Sequence, residues 1–214
     1  MGRTVSALRV PDLEDRGDLA TFVGRAVRLD PAATVRLRVS AGRVTAWVTT
    51  PFDVLATRSV PGTLEPGDVT APATVLLTAL SVERAATVDP GAGALWQGLL
   101  PPDDGWSAVD TVPAAELERL TERGLALARE HAGPLGPPAS LLDQTVLTVS
   151  GAVGPAVKVP LRCLFALSGM GFLGASGDGE DEKVRVSATG TWMRLDARFG
   201  AVVRRRITAL PLLT

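Results

Sequence analysis

Cysteine occurs once in this sequence, as Cys163, histidine once, as His131, and tyrosine and asparagine not at all. A single thiol excludes an internal disulfide and suits a reducing cytosol. One thiol and one imidazole cannot assemble a zinc site of soft ligands, so no metal is expected. Phenolic acid catalysis is excluded outright. No Gly-x-Ser-x-Gly elbow, phosphate loop or His-Glu-x-x-His motif occurs, and no cofactor is expected. Aromatics make up only 4% of a chain that is 46% hydrophobic, so valine, leucine and alanine must fill the core. The opening MGRTVSALRV has no apolar signal region, and no apolar run is long enough to span a bilayer. The expectation is a cytoplasmic protein without membrane contact.

Charge is present but balanced. Lysine and arginine total 22 against 23 acidic residues, a formal net charge of -1. That excludes a globally basic nucleic-acid binder, though not a local patch. Two of the 22 are lysines, Lys158 and Lys183, which leaves 20 arginines. The bias towards Ala, Arg, Gly, Val and Pro is what the codons of a GC-rich genome produce. Cations gather late in the chain: Lys183, Arg185, Arg194, Arg198, Arg204, Arg205 and Arg206 stand against Asp196 alone.

The clearest period lies at residues 35–60. Val35, Leu37 and Val39 alternate with Arg36 and Arg38, as in a strand buried on one face. Gly42 supplies a tight turn. The chain returns with Val44, Ala46 and Val48 on the apolar side, and with Arg43, Thr45, Trp47 and Thr49 on the other. Pro51 marks a corner, and a third strand ends before Pro61-Gly62. A weaker copy spans residues 183–207, in which Val186-Ser187-Ala188-Thr189-Gly190 answers to Val39-Ser40-Ala41-Gly42 and Trp192 to Trp47. In the same way Phe199 answers to Phe52, and the Arg204-Arg205-Arg206 run to Arg58. A helix-like segment precedes each meander, at residues 18–28 and 161–170. The fold class is therefore read as α+β, two antiparallel three-stranded meanders packed against helices, with an internal αβββ repeat as one account of the likeness. Shared Val/Arg composition is the other.

Elsewhere the spacing predicts a helix over residues 11–30, capped by Asp12 or Asp18, and a turn-rich linker over 63–68. Residues 70–83 read as a helix with Thr70 as N-cap and Pro72 in its first turn, although a buried strand fits 71–83 as well. Residues 87–112 form a long loop pinned by Trp96 and Trp106. A helix over 113–131 carries Leu117, Leu120, Leu127 and Ala128 on its inner face. Gly136-Pro137-Pro138 is the hinge-like break, giving an N-terminal unit at 1–136 and a C-terminal unit at 137–214, or one compact domain. Residues 145–149 alternate as a strand, 161–170 as an apolar helix, and 174–182 form an acidic loop.

Candidate chemistry is sparse. His131 falls in the last turn of its helix, where a capping role is ordinary. Cys163 lies among Leu161, Leu164, Phe165 and Leu167, as a buried and unreactive thiol does. Gly169-Met170-Gly171-Phe172-Leu173-Gly174 spells a dinucleotide-binding pattern, but the acidic stretch after it suits neither a helix nor a phosphate. Asp178, Glu180 and Glu182 lack the central glycine and distal glutamate of a calcium loop. Two features remain. Arg36, Arg38, Arg43 and Trp47 form a polar sheet face able to meet an anionic small ligand or a second copy of the chain. Residues 161–170 followed by a basic hairpin with Trp192, Arg194 and Arg198 resemble a winged helix. Only Arg162 and Ser168 could face outward from that helix, so base readout is not expected, while backbone binding by Arg204, Arg205 and Arg206 stays open.

The cadence RLDPAATVRLRV, VTAWVTTPFDVLATR and the closing TWMRLDARFGAVVRRR resembles conserved proteins of high-GC bacteria that carry no assigned function. That resemblance covers most of the chain and brings no functional residues with it. The main reading is a non-enzymatic binding or assembly module that uses its Arg-rich sheet faces and self-associates. Its alternatives are a nucleic-acid-associated protein with a winged-helix-like C-terminal unit, and an enzyme whose carboxylate/arginine site is not visible in the sequence.

Overall fold

Alternating side chains and a few well-placed turn residues account for most of the architecture. In the computed structural model, which describes residues 6–82, 85–131, 133, 137–152, 156–174 and 182–206, the chain is a mixed α/β protein built from antiparallel sheets and helices. It divides into two compact units. The first holds residues 1–99 with 169–171, and the second holds 100–168 with 172–214. The division thus falls at residue 99, and the Pro137-Pro138 break lies inside the second unit.

In the first unit, β1 (Ala7–Arg9) leads into α1 (Leu13–Leu29). The Asp12 carboxylate caps α1 by accepting from the Glu14 and Asp15 amides at 2.7 and 3.3 Å. Leu19, Phe22, Val23 and Ala26 then recur at helical spacing along its buried stripe. The meander follows as β2 (Thr34–Ser40), β3 (Arg43–Thr50) and β4 (Val54–Pro61). Ala41 and Gly42 both take positive φ (47° and 72°), the two-residue hairpin whose twist matches that of the strands. Val35, Leu37, Val44, Ala46, Val48, Val54, Ala56 and Val60 point to the buried side. There α1 packs on β3 and β4.

Residues 63–68 are not a linker. They contain β5 (Thr63–Glu65) and the start of β6 (Asp68–Pro72). Thr70 is likewise no helix cap, because Thr70 to Pro72 pair with β2 and the helix α2 (Ala73–Val82) begins only afterwards. Both readings of 71–83 were partly right, since Pro72 removes the amide that would have continued the strand. A short β7 (Thr87–Val88) joins β5 and β1 in a three-stranded sheet, and the larger sheet runs β6-β2-β3-β4.

In the second unit, β8 (Ser107–Pro113) occupies part of the expected loop and runs into α3 (Ala114–Glu130). The inner stripe of α3 is Ala114, Leu117, Thr121, Gly124 and Ala128. Leu120 is half-buried and Leu127 exposed, because small residues let α3 approach closely: a Cβ on Gly124 would come 2.3 Å from Leu161. A short α4 (Ala139–Leu142) precedes the hairpin β9 (Thr145–Val149) and β10 (Val157–Pro160). Next comes α5 (Leu161–Gly169), buried from Leu161 to Leu167. The closing meander is β11 (Lys183–Ala188), β12 (Trp192–Ala197) and β13 (Gly200–Arg205), in a sheet ordered β13-β12-β11-β8. Residues 175–181 of the acidic loop lie outside the described residues, as do Pro134, Gly136 and Ile207.

Gly200 lets β13 pass over Phe172, which is fully buried; a Cβ there would come 2.5 Å from the ring. Gly190, in the β11–β12 turn, has nothing within 4 Å of such an atom. Gly200→Ala is therefore expected to cost about 1–3 kcal/mol and Gly190→Ala less than about 0.5 kcal/mol, as measured by urea unfolding.

Candidate functional site

The alternation that buries one face of each sheet gathers the arginines on the other. In the first unit, Arg36 and Arg38 of β2, Arg43, Thr45 and Trp47 of β3, Thr57 and Ser59 of β4, and Asp68 of β6 share one face. The anticipated grouping of Arg36, Arg38, Arg43 and Trp47 is thus real, but its chemistry differs. Arg36 grips Asp68 with two hydrogen bonds, Nε to Oδ1 at 2.9 Å and Nη2 to Oδ2 at 2.7 Å. Arg38 Nε lies 3.6 Å from the same carboxylate. Arg43 donates to the Ser59 carbonyl at 2.8 Å and to its hydroxyl at 3.2 Å. Trp47, read as an open platform, is only 7% exposed, set between Arg36 and Thr57 in the strand register.

The Arg36 guanidinium holds the Asp68 carboxyl below its ordinary value, chiefly through the hydrogen bond and against some desolvation. A group with a depressed folded pKa stabilises above its unfolded value and loses that contribution as the pH falls. Asp68 is well exposed, so the gain is small.

The second unit repeats the device. Arg194 Nε donates to Asp196 Oδ1 at 2.7 Å, and Arg185, the cross-strand partner of Asp196, reaches Oδ2 at 3.6 Å. Arg205 stands over the Trp192 ring at 5.8 Å, and Arg198 over Phe199 at 5.3 Å, at the β12–β13 turn. Among the described residues of these three strands, Lys183, Arg185, Arg194 and Arg205 share this face with one carboxylate, Asp196. The run Arg204-Arg205-Arg206 is not one patch. Arg204 turns to the opposite face and reaches Asp143 at 3.3 Å, while Arg206 donates to the carbonyls of Thr189 and Ala156 at 3.0 and 3.1 Å.

Asp143 is the third shared carboxylate. It also accepts from Arg162 Nε at 2.8 Å, so α5, β13 and the end of α4 are tied at one point. Arg162, read as available to solvent, has a side chain only 8% exposed. With Leu161 to Leu167 all buried and only Ser168 and Gly169 exposed, α5 has no face to lay in a groove, so the winged-helix feature of the nucleic-acid reading does not hold. Burial pushes the neighbouring Cys163 thiol up to about 12, with Arg204 and Arg162 pulling weakly the other way. His131 is the C-cap of α3 and exposed. Gly169 closes a helix instead of following a strand, and the Gly171 carbonyl accepts from Arg25 at 2.8 Å. Among the described residues, no three His, Cys, Asp or Glu side chains group in a way that could hold a metal ion. None of the described helices is long and apolar enough to cross a membrane.

Sequence reasoning missed Asp68 and Asp143 altogether. Arg194 and Asp196, two apart on one strand, were the only readable signal of such pairing.

Residues 101–209, half of the chain, match the family model described as Domain of unknown function (DUF8185). The chain belongs to the DUF8185 family. Residues 3–98 match a second model, Domain of unknown function (DUF8010), so the DUF8185 boundary coincides with the structural division near residue 99. No curated protein matches the sequence. Solved structures do match in fold. The DNA polymerase sliding clamp from Caulobacter crescentus aligns with a TM-score of 0.59 and 16% identity, over 98% of this chain and 67% of that one. The clamp from Bacillus subtilis gives 0.58 and 14%, over 96% and 66%. The DnaN sliding clamp (DNA polymerase III subunit beta) from Bartonella birtlesii, bound to griselimycin, gives 0.54 and 13%, over 97% and 66%. The DUF8185 chain thus spans about two thirds of the clamps' length. The likeness establishes a clamp-like fold, and it overturns the main sequence reading of a general non-enzymatic binding or assembly module. The grounds for setting nucleic acid aside fall with it.

Two outcomes are expected at these residues. Asp68→Asn lowers stability by less than about 1 kcal/mol near neutral pH, and the difference shrinks below about pH 4, as read from unfolding curves across pH. Cys163 resists a thiol reagent in the folded DUF8185 chain at mildly alkaline pH and reacts at once in denaturant.

Proposed function

We propose that the DUF8185 chain is a sliding-clamp-like protein associated with DNA. The observation that carries this reading is the clamp-like fold, matched over 96% or more of the chain in the C. crescentus and B. subtilis structures. Charge on the elements supports a particular contact surface. On α3 the charges nearly cancel: the exposed Arg119, Arg123 and Arg129 stand beside the exposed Glu122 and Glu130 and the half-buried Glu116 and Glu118. The β11–β13 face sets Lys183, Arg185, Arg194 and Arg205 against Asp196, with Arg198 at its turn. Phosphates of the DNA backbone meet that face, and the base edges are not read.

The working form is an assembly of several copies in the cytoplasm, a reading that the clamp-like fold supports. The two αβββ segments are copies of one ancestral unit. In each, a helix precedes the meander, and the last strand turns one arginine to the helix side: Arg58 pairs with Asp18, and Arg204 with Asp143. The tryptophans do not follow that register. Trp47 sits mid-strand in β3, whereas Trp192 opens β12.

Fluorescence anisotropy with a short DNA duplex tests the function. Three phosphate contacts give about 40-fold weaker binding between about 50 and 200 mM salt. Joint replacement of Lys183, Arg185 and Arg205 by alanine removes most of the binding. Absence of binding at the lower salt, or binding indifferent to salt, contradicts the reading.

A further inference from the structure

We propose that Asp196 is a built-in competitor of DNA phosphate, an intramolecular anion that occupies Arg185 and Arg194 and holds the affinity of the clamp-like chain down. The inference rests on the DNA-associated reading and names its regulation.

The geometry is that of an anion already seated. Asp196 projects from β12 on the same face as Arg194, two residues before it, and takes the Arg194 Nε at 2.7 Å. Arg185 comes from β11 directly opposite and approaches the second oxygen at 3.6 Å. The Asp196 side chain is 20% exposed, against 63% for Arg185 and 31% for Arg194. The carboxylate is therefore the sequestered member of the trio, and both guanidiniums reach past it towards solvent. A carboxylate and a phosphate present oxygens of similar geometry to the same N–H fork. A phosphate approaching this face must therefore displace Asp196 or share its donors, and it also meets the repulsion of a fixed negative charge. Among the described residues, no carboxylate pairs with the neighbouring cations in this way: Arg205 lies against Trp192 and Lys183 is exposed. Removing one carboxylate thus frees two donors of the β11–β13 face at once.

Asp196→Asn preserves size and removes the charge. Duplex binding is expected to tighten about tenfold at low salt, the effect of one charge-assisted hydrogen bond regained. The salt slope should also steepen by about one phosphate contact. The gain disappears when Arg185 and Arg194 are both alanine, and Glu122→Gln on α3, a charge change of the same sign, stays within about twofold. Asp196→Ser repeats the result should the asparagine variant fold poorly by circular dichroism. Wild-type binding with no gain in the Asp196 variants overturns this inference alone. An equal gain without the arginines, or from Glu122→Gln, does the same. No binding by wild type or by either Asp196 variant overturns it together with the DNA reading.

Discussion

Twenty arginines in a chain of net charge -1 have to be accommodated, and the recurring solution is one carboxylate shared by two guanidiniums. Asp68 serves Arg36 and Arg38, Asp196 serves Arg194 and Arg185, and Asp143 serves Arg162 and Arg204. The first two lie on sheet faces, are partly solvated and contribute little to stability. The third is different in kind. Arg162 and Arg204 are largely withdrawn from water, so removing Asp143 would take a shared ion-pair partner from two shielded guanidiniums and cost more than losing either surface carboxylate. The shared carboxylate therefore acts as a fastener inside the second unit and as a charge regulator on its surface.

Sheet architecture explains why the same motif takes both roles. Successive residues of a strand point to opposite faces, so Arg204 and Arg205 part company although they are adjacent. One is drawn under the sheet to Asp143 and the other lies over Trp192. Arg58 behaves like Arg204, crossing to Asp18 of α1. A run of like charges in the sequence thus becomes a structural pin and a surface cation in space.

The same geometry decides what could be read in advance. The strands of the first meander were legible because period-two alternation and a turn at Gly42 leave few other solutions, and the second was legible as a strand-rich segment without strand bounds. The capped start of α1 at Asp12 was legible for a comparable local reason. What failed was nonlocal. Thr70 to Pro72 became a strand because β2 offers an edge, which no propensity encodes. Trp47 was assigned to the right face but not to burial, since its covering neighbours arrive from other strands. Leu120 and Leu127 lost the inner stripe of α3 to Thr121 and Gly124, and at Gly124 close approach to Leu161 matters more than side-chain size. At the candidate site the arginines were legible by alternation. The aspartates that neutralise them lie 32 and 19 residues away from their first partners in two of three cases, and only the fold brings them together.

The central claim is that a clamp-like fold meets DNA phosphates through the β11–β13 face, and amide hydrogen exchange with and without a short duplex tests it most directly. The account expects added protection over residues 183–205 with little change in α1 and α3. Protection confined to the helices, with the closing strands unchanged, would contradict it.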